Sequence, residues 1–264
     1  MIYYLVRRFI LKEKLYTIPL NDAMNANDEC PLCYSYREIE QYFLDLVLGS
    51  GSSYMESDMR AKTDKAGFCK IHFKKMFDYG NTLGNAWILK THYMEMRRQM
   101  NEAIKNYKPG KNSKISMFSK GNATYQNSVA QWVNKTEKSC YICTEMEEMF
   151  DRYVDTFFYL FKNDPEYVTK FKNSKGFCLS HFGLICERAE TALSAKEKAE
   201  FFEILFPLMD SNMARLQEDV SWMIEKFDYL NKDADWKNSK DAIQRGMQKL
   251  KGGYPSDPPY QQNK

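Results

Sequence analysis

The sequence predicts an all-α fold, a duplicated helical bundle of two pseudo-symmetric halves, each built around a CxxC…CxxH metal site. Three observations carry this reading. GFCKIH at 67–72 and GFCLSH at 176–181 repeat one pattern. Each is preceded by a CxxC, CPLC at 30–33 and CYIC at 140–143. Elsewhere apolar residues recur at gaps of three and four, the period of a helix face, and strand-like alternation is scarce.

The register of the repeat sets the organisation. Cys30 to Cys140 and Cys33 to Cys143 are shifts of 110; Cys69 to Cys178 and His72 to His181 are shifts of 109. YFLDLVL at 42–48 falls opposite RYVDTFF at 152–158, with Asp45 opposite Asp155. A recurrence at fixed offset is the mark of an internal duplication. The expected division is an N-terminal segment 1–25, a first metal-binding repeat 26–107, a basic linker 108–135, a second repeat 136–230, and a C-terminal helix and flexible tail 231–264.

Each element follows from local signals. Residues 34–48 form a helix stopped by GSGSS, and a short helix near 54–63 leads to Gly67. A helix over 68–79 carries Cys69 and His72. The next, 82–107, has Leu89, Tyr93, Met96, Met100, Ile104 and Tyr107 on one stripe and ends at KPGKNSK. The second half repeats the plan: a helix over 144–162, acidic at its start as the helix dipole favours, a short helix restarted at NDPEY, and one bearing Cys178 and His181. SAKE at 194–197 is a capping box opening a long helix to about 230, kinked by Pro207. On it Leu216, Val220, Met223, Phe227 and Leu230 make a seam at alternating gaps of four and three, read as a core face with a coiled-coil surface as the rival. A last helix spans 236–250, before the tail GGYPSDPPYQQNK.

The chain has seven cysteines and three histidines, and the repeat uses eight of those ten. Zinc takes four tetrahedral ligands, preferably thiolates and imidazoles. A CxxC turns the backbone so that its sulfurs converge, and CxxH on a helix puts both side chains on one face. The ligand candidates are therefore Cys30, Cys33, Cys69 and His72 with Cys140, Cys143, Cys178 and His181, as two Cys3His sets and two zinc ions per chain. Pairing within each repeat is the simpler partition; Cys30 and Cys33 joining Cys178 and His181 is the alternative. The glycine before each FCxxH admits a close approach of the chain, and the phenylalanine after each histidine, Phe73 or Phe182, shields the metal. Flanking lysines, Lys65, Lys70, Lys74 and Lys75 or Lys170, Lys172 and Lys175, offset the net negative charge of such a centre or are simply solvated. An iron–sulfur cluster is the alternative cofactor. A dithiol redox site is disfavoured, because the βαβ context it normally occupies is missing. His92 reads as a surface or satisfied core residue and Cys186 as a small core residue.

Composition narrows the rest. Hydrophobic residues at 44% and aromatics at 15% give a real core. A net charge of +3 names no polyanionic partner. The apolar N-terminal run breaks at Arg7-Arg8, far short of the ~20 residues of a membrane span, and no cleavage site follows it. The default location is the cytoplasm, where thiols stay reduced. No nucleophile elbow, zinc-protease, P-loop or dinucleotide motif is present, which points away from an enzyme. Between 103 and 136 there is no acid, but there are Lys105, Lys108, Lys111, Lys114, Lys120 and Lys135, interleaved with Tyr107, Phe118 and Tyr125. That composition suits a basic linker, with nucleic-acid binding as the rival.

At KEKLYTIPLNDA…CPLC, SYMESDMRAKTDKAGFCKIHFKKMFDYGNTLGNA and GFCLSHF, the chain resembles a family of proteins of unknown function from clostridia-like bacteria. The resemblance runs from about Lys12 over nearly the whole chain and implies no activity. Some members carry a label of ABC-transporter substrate-binding protein, which the missing secretion signal and βα pattern do not support. The family's usual start near KEKLYTIPL makes residues 1–10 an expected mis-called extension. The function expected is a non-enzymatic intracellular scaffold or regulator binding a protein partner, with an iron–sulfur or dithiol redox protein as the alternative.

Overall fold

A computed structural model of the chain describes residues 16–51, 53–108 and 127–253. The expected extension at 1–10, the tail from Tyr254 and the basic residues Lys111, Lys114 and Lys120, with Phe118 and Tyr125, lie outside them. Among the described residues all regular structure is helical. The elements are α1 (16–25), α2 (Pro31–Leu48), α3 (Ser57–Ala66), α4 (Lys70–Tyr79), α5 (Thr82–Lys105), α6 (Ser128–Glu137), α7 (Tyr141–Asn163), α8 (Pro165–Lys172), α9 (Leu179–Ala192), α10 (Ala195–Glu225) and α11 (Ala242–Lys251). Short 3-10 turns sit at Ser53–Met55 and Tyr229–Asn231.

The expected stops and starts are visible. Ser194 and Glu197 form the reciprocal capping box of α10. Asp164 caps α8 through the amides of Glu166 and Tyr167, with Pro165 in the first turn, where no amide is needed. α10 runs through Pro207 as one helix. The expected linker 108–135 is shorter than foreseen, because its last residues belong to α6, capped by Asn127.

The chain forms two compact units, and neither coincides with one copy of the repeat. Unit 1 takes the described residues up to Ile39 and those from Glu147 onward; unit 2 takes Glu40–Met146. The division falls inside α2 and inside α7. Unit 1 has an aromatic core in which Phe157, Phe171, Phe177 and Phe201 are fully buried, with ring centroids 5.5–6.2 Å apart. Tyr16 of α1 meets Tyr153 at 5.1 Å. Unit 2 buries Phe43, Leu44, Val47 and Leu48 with Met76, Tyr79, Ile88 and Met146. The Asn81 side chain caps α5 at Gly84 and donates to the Leu48 carbonyl.

Two stripes differ from expectation. On α5 the buried residues are not the large apolar stripe but Gly84, Ile88 and Ala103. Gly84 admits the Leu48 side chain of α2, Ala103 lies against α6 with Ser128 donating to its carbonyl, and α3 is pinned by Thr91 donating to Asp64. On α10, Leu216 is buried but Phe227 and Leu230, beyond the helix end, are exposed.

Candidate metal centres

All eight expected ligands assemble into two groups, but across the repeats. Cys30, Cys33, Cys178 and His181 converge in unit 1; Cys69, His72, Cys140 and Cys143 converge in unit 2. The within-repeat partition is thus corrected. In unit 2 the Tyr141 amide donates to the Gly67 carbonyl at 2.9 Å, tying the second CxxC to the first GFCxxH.

The helices explain why these side chains are aimed together. Cys30 immediately precedes α2 and Cys140 immediately precedes α7; Cys69 and Cys178 are the N-caps of α4 and α9. Each centre thus sits at two helix N-termini, whose partial positive charge favours thiolates. The Cys33 amide lies 3.4 Å from Cys30 Sγ, and the Cys143 amide 3.5 Å from Cys140 Sγ.

The spacing is close to that of one tetrahedral ion, with the nitrogen–sulfur distances about 0.2–0.4 Å shorter. Zinc–sulfur arms of about 2.3 Å and nitrogen arms of about 2.0–2.1 Å place ligand atoms about 3.6–3.8 Å apart. In unit 1, His181 Nδ1 lies 3.3, 3.4 and 3.4 Å from the sulfurs of Cys30, Cys33 and Cys178, and Cys33 and Cys178 are 3.6 Å apart. In unit 2, His72 Nδ1 lies 3.3, 3.2 and 3.3 Å from Cys69, Cys140 and Cys143, and Cys69 and Cys143 are 3.9 Å apart. A disulfide needs about 2.05 Å, and all seven cysteines are free.

Without a cation the sulfurs cannot all be charged. In unit 1 burial pushes Cys30 well up, and hydrogen bonding to Cys178 raises Cys33 to about 12, while Cys178, bonded by both, falls far below the usual thiol range. In unit 2 burial raises Cys143. Cys140 goes down to about 6, because the bond from His72 outweighs its own burial. Burial disfavours the His72 imidazolium, but bonds to Cys140 and Glu40 overcome it and raise the pKa to about 10. In unit 1 two of the three thiols, Cys30 and Cys33, are thereby held protonated, and in unit 2 Cys143 is; a divalent ion would favour the thiolates.

The surroundings of the two histidines differ. His72 Nε2 faces Glu40 Oε1 at 3.1 Å, and Glu40 is gripped by Lys75 at 2.6 Å through both oxygens. This is the carboxylate–histidine arrangement that orients a metal ligand. His181 instead packs on the ring of Phe150 at 5.2 Å. Glu40 and Phe150 are themselves related by the shift of 110, so one position of the repeat supplies a carboxylate in one copy and a ring in the other. Neither residue was singled out from sequence; only the repeat register, followed past the cysteines, points to them.

Other expected roles shift. Phe73 packs on Phe68 at 5.5 Å and Phe182 on Phe206 at 6.3 Å, so the ring against His181 is Phe150 and not Phe182. Lys75 engages its centre through Glu40, but Lys74 pairs with exposed Asp78. A buried cation near the unit 1 centre is Lys249, which donates to the carbonyls of Glu29 and Lys175. Burial lowers it to about 8 against the opposing pull of Glu29 and Cys30. Glu29, beside Cys30, takes Arg215 at 2.5 Å. Gly252, assigned to the tail from sequence, lies against this centre: a Cβ there would stand 3.1 Å from Cys33 Sγ.

The two motif glycines have the expected role. Gly67 and Gly176 have φ of +63° and +70°. A Cβ on Gly67 would meet His92 at 2.8 Å, and one on Gly176 would meet Met209 Sδ at 2.8 Å. His92 is a satisfied residue, its Nδ1 3.0 Å from the Asp64 carbonyl. Cys186 is half-buried and belongs to neither centre. Lys105 and Lys108 are exposed at the end of α5. No helix of the described residues is long and apolar enough to cross a membrane.

These features belong to a defined class of chain. Residues 11–257 match the model of a family of unknown function, DUF6062, and the chain belongs to that family. It is similar to an uncharacterized 23.9 kDa protein in the xynA 3′ region of Caldicellulosiruptor sp. (strain Rt8B.4), 22% identical over 205 residues, covering 77% of this chain and 85% of the relative. No solved structure matches.

Proposed function

We propose that the protein is a zinc-braced helical scaffold, not an enzyme, which holds one structural zinc in each unit and binds a macromolecular partner. The carrying observation is closure: each group offers three sulfurs and a nitrogen at close to the spacing of one tetrahedral ion, leaving no position for water or substrate. A multi-iron cluster spreads its ligands over separate irons, which suits this spacing less well. Three thiolates, one neutral imidazole and Zn2+ sum to one negative charge, and Lys249 in unit 1 is placed to offset it. Reduced cysteines in this role fit a cytoplasmic protein, and the shared register supports descent by duplication.

Metal content by mass spectrometry, on protein purified without oxygen or a nickel column, is the test. About two zinc per chain is expected. Iron with acid-labile sulfide and a visible chromophore would replace the scaffold by a redox protein. No metal, with thiols oxidising in pairs, would overturn the zinc reading.

A further inference from the structure

We propose that the outward face of α5 docks an acidic amphipathic helix of a partner protein. This rests on the scaffold reading and gives the partner its chemistry. At 100° per residue, Leu89, Tyr93, Met96, Met100, Ile104 and Tyr107 fall within an arc of about 80°. The arc is centred about 120–160° from Gly84 and Ile88, and buried Ala103 borders it beside Met96. Tyr93 and Ile104 are 66% and 52% exposed, and Leu89, Met100 and Tyr107 are exposed as well. The spacing from Leu89 through Tyr93, Met96 and Met100 to Tyr107 is that of a helix-pairing seam about five turns long. Methionines at two of its positions adapt to varied side chains.

Charge selects the occupant. One flank of the seam carries Lys90 and Arg97, both exposed and neither in an ion pair among the described residues; Lys105 lies further round the helix. Lys90 only stacks on Trp87, at 4.8 Å. The acids of α5 are turned away: Glu95 and Glu102 are both taken by Arg98. The other flank, with His92, Gln99 and Asn106, holds no Lys, Arg, Asp or Glu and is partly occupied by α6. A helix laid on the seam meets two unpaired cations along one edge, Lys90 and Arg97, so its own edge must carry acids. A second copy fits poorly, since an antiparallel pair sets basic flank against basic flank and a parallel pair sets it against neutral residues. An anionic membrane is favoured by basic residues on both edges of an apolar arc, and here they line one.

The test uses the full chain and two labelled helical peptides about three heptads long, alike in their leucine seam, one flanked by glutamates and one by lysines. Fluorescence anisotropy should show micromolar binding of the glutamate peptide and at least about tenfold weaker binding of its twin, as a few surface ion pairs changed in sign allow. Lys90→Glu with Arg97→Glu should reverse the preference, and Tyr93→Ala with Met100→Ala should weaken both peptides. Equal binding of the two peptides, or none, overturns the proposal. So does binding of phosphatidylserine vesicles in place of peptide, or a dimer by sedimentation that Tyr93→Asp dissolves. Zinc counted on the same preparations keeps the readings apart: intact zinc with no peptide preference refutes the docking face alone, and absent zinc refutes the scaffold while the peptides still decide the face.

Discussion

Glu40→Gln isolates the difference between the two centres. In unit 2 the Glu40 carboxylate lies 3.1 Å from His72 Nε2, with both side chains less than a tenth exposed. Glutamine keeps an acceptor but removes the charge that makes the imidazole a stronger ligand. Loss of such a partner costs about 10–100-fold in metal affinity, or about 1.4–2.7 kcal/mol. The retained acceptor puts Glu40→Gln near the lower end and Glu40→Ala near the upper. The unit 1 centre, whose histidine rests on Phe150, serves as the internal control. Competition with a chromophoric chelator should show the unit 2 ion leaving about tenfold more readily while the unit 1 ion stays as in the parent. Unchanged release from unit 2, or weakening of both centres together, would refute the argument.

Other outcomes follow from the same geometry. Cys33→Ser with Cys178→Ser should lose one metal, and Cys33→Ser with Cys69→Ser should lose two; the reverse would restore within-repeat pairing. In unit 1 binding displaces the protons of Cys30 and Cys33, both raised in the free protein, so affinity should fall about a hundredfold per pH unit as pH drops through neutrality, measured by zinc titration at pH 6 to 8. Gly67→Ala and Gly176→Ala should each destabilise by about 1–3 kcal/mol, from left-handed strain and from the group a Cβ would meet, the His92 ring or the buried Met209 thioether that accepts from the Phe177 amide; thermal melts check both. Phe201→Ala should cost about 3–5 kcal/mol by chemical denaturation, with both metals retained in the folded protein.

The helices were readable because their ends carry explicit chemistry, such as the Ser194–Glu197 box, Asp164-Pro165 and the break after Tyr107. The eight ligands were readable because they recur. Their partition was not, since the recurrence makes the two CxxH segments chemically interchangeable to either CxxC, and only packing such as the Tyr141 to Gly67 hydrogen bond separates them. The buried face of α5 is not legible in the sequence for a related reason. Its larger residues mark a stripe, but Gly84 and Ala103 mark where neighbours come close, and small residues give no hydrophobic signal. Glu40 is one carboxylate among many, and its meaning lies in the fold alone.

The order of ligands along the chain, first CxxC, first CxxH, second CxxC, second CxxH, makes the two centres nested brackets. The inner bracket opens at Cys69 and closes at Cys143; the outer opens at Cys30 and closes only at His181. During synthesis the first CxxC emerges long before its true partner. The nearest CxxH it meets is the wrong one, and that false loop is about fourfold shorter than the true one, an entropic advantage of about 1.2 kcal/mol. A metal captured early would lock the chain into brackets that close in the wrong order. Correct assembly therefore depends on the inner pair being claimed by α7 before the ion arrives, or on the ion exchanging freely until α9 has been made.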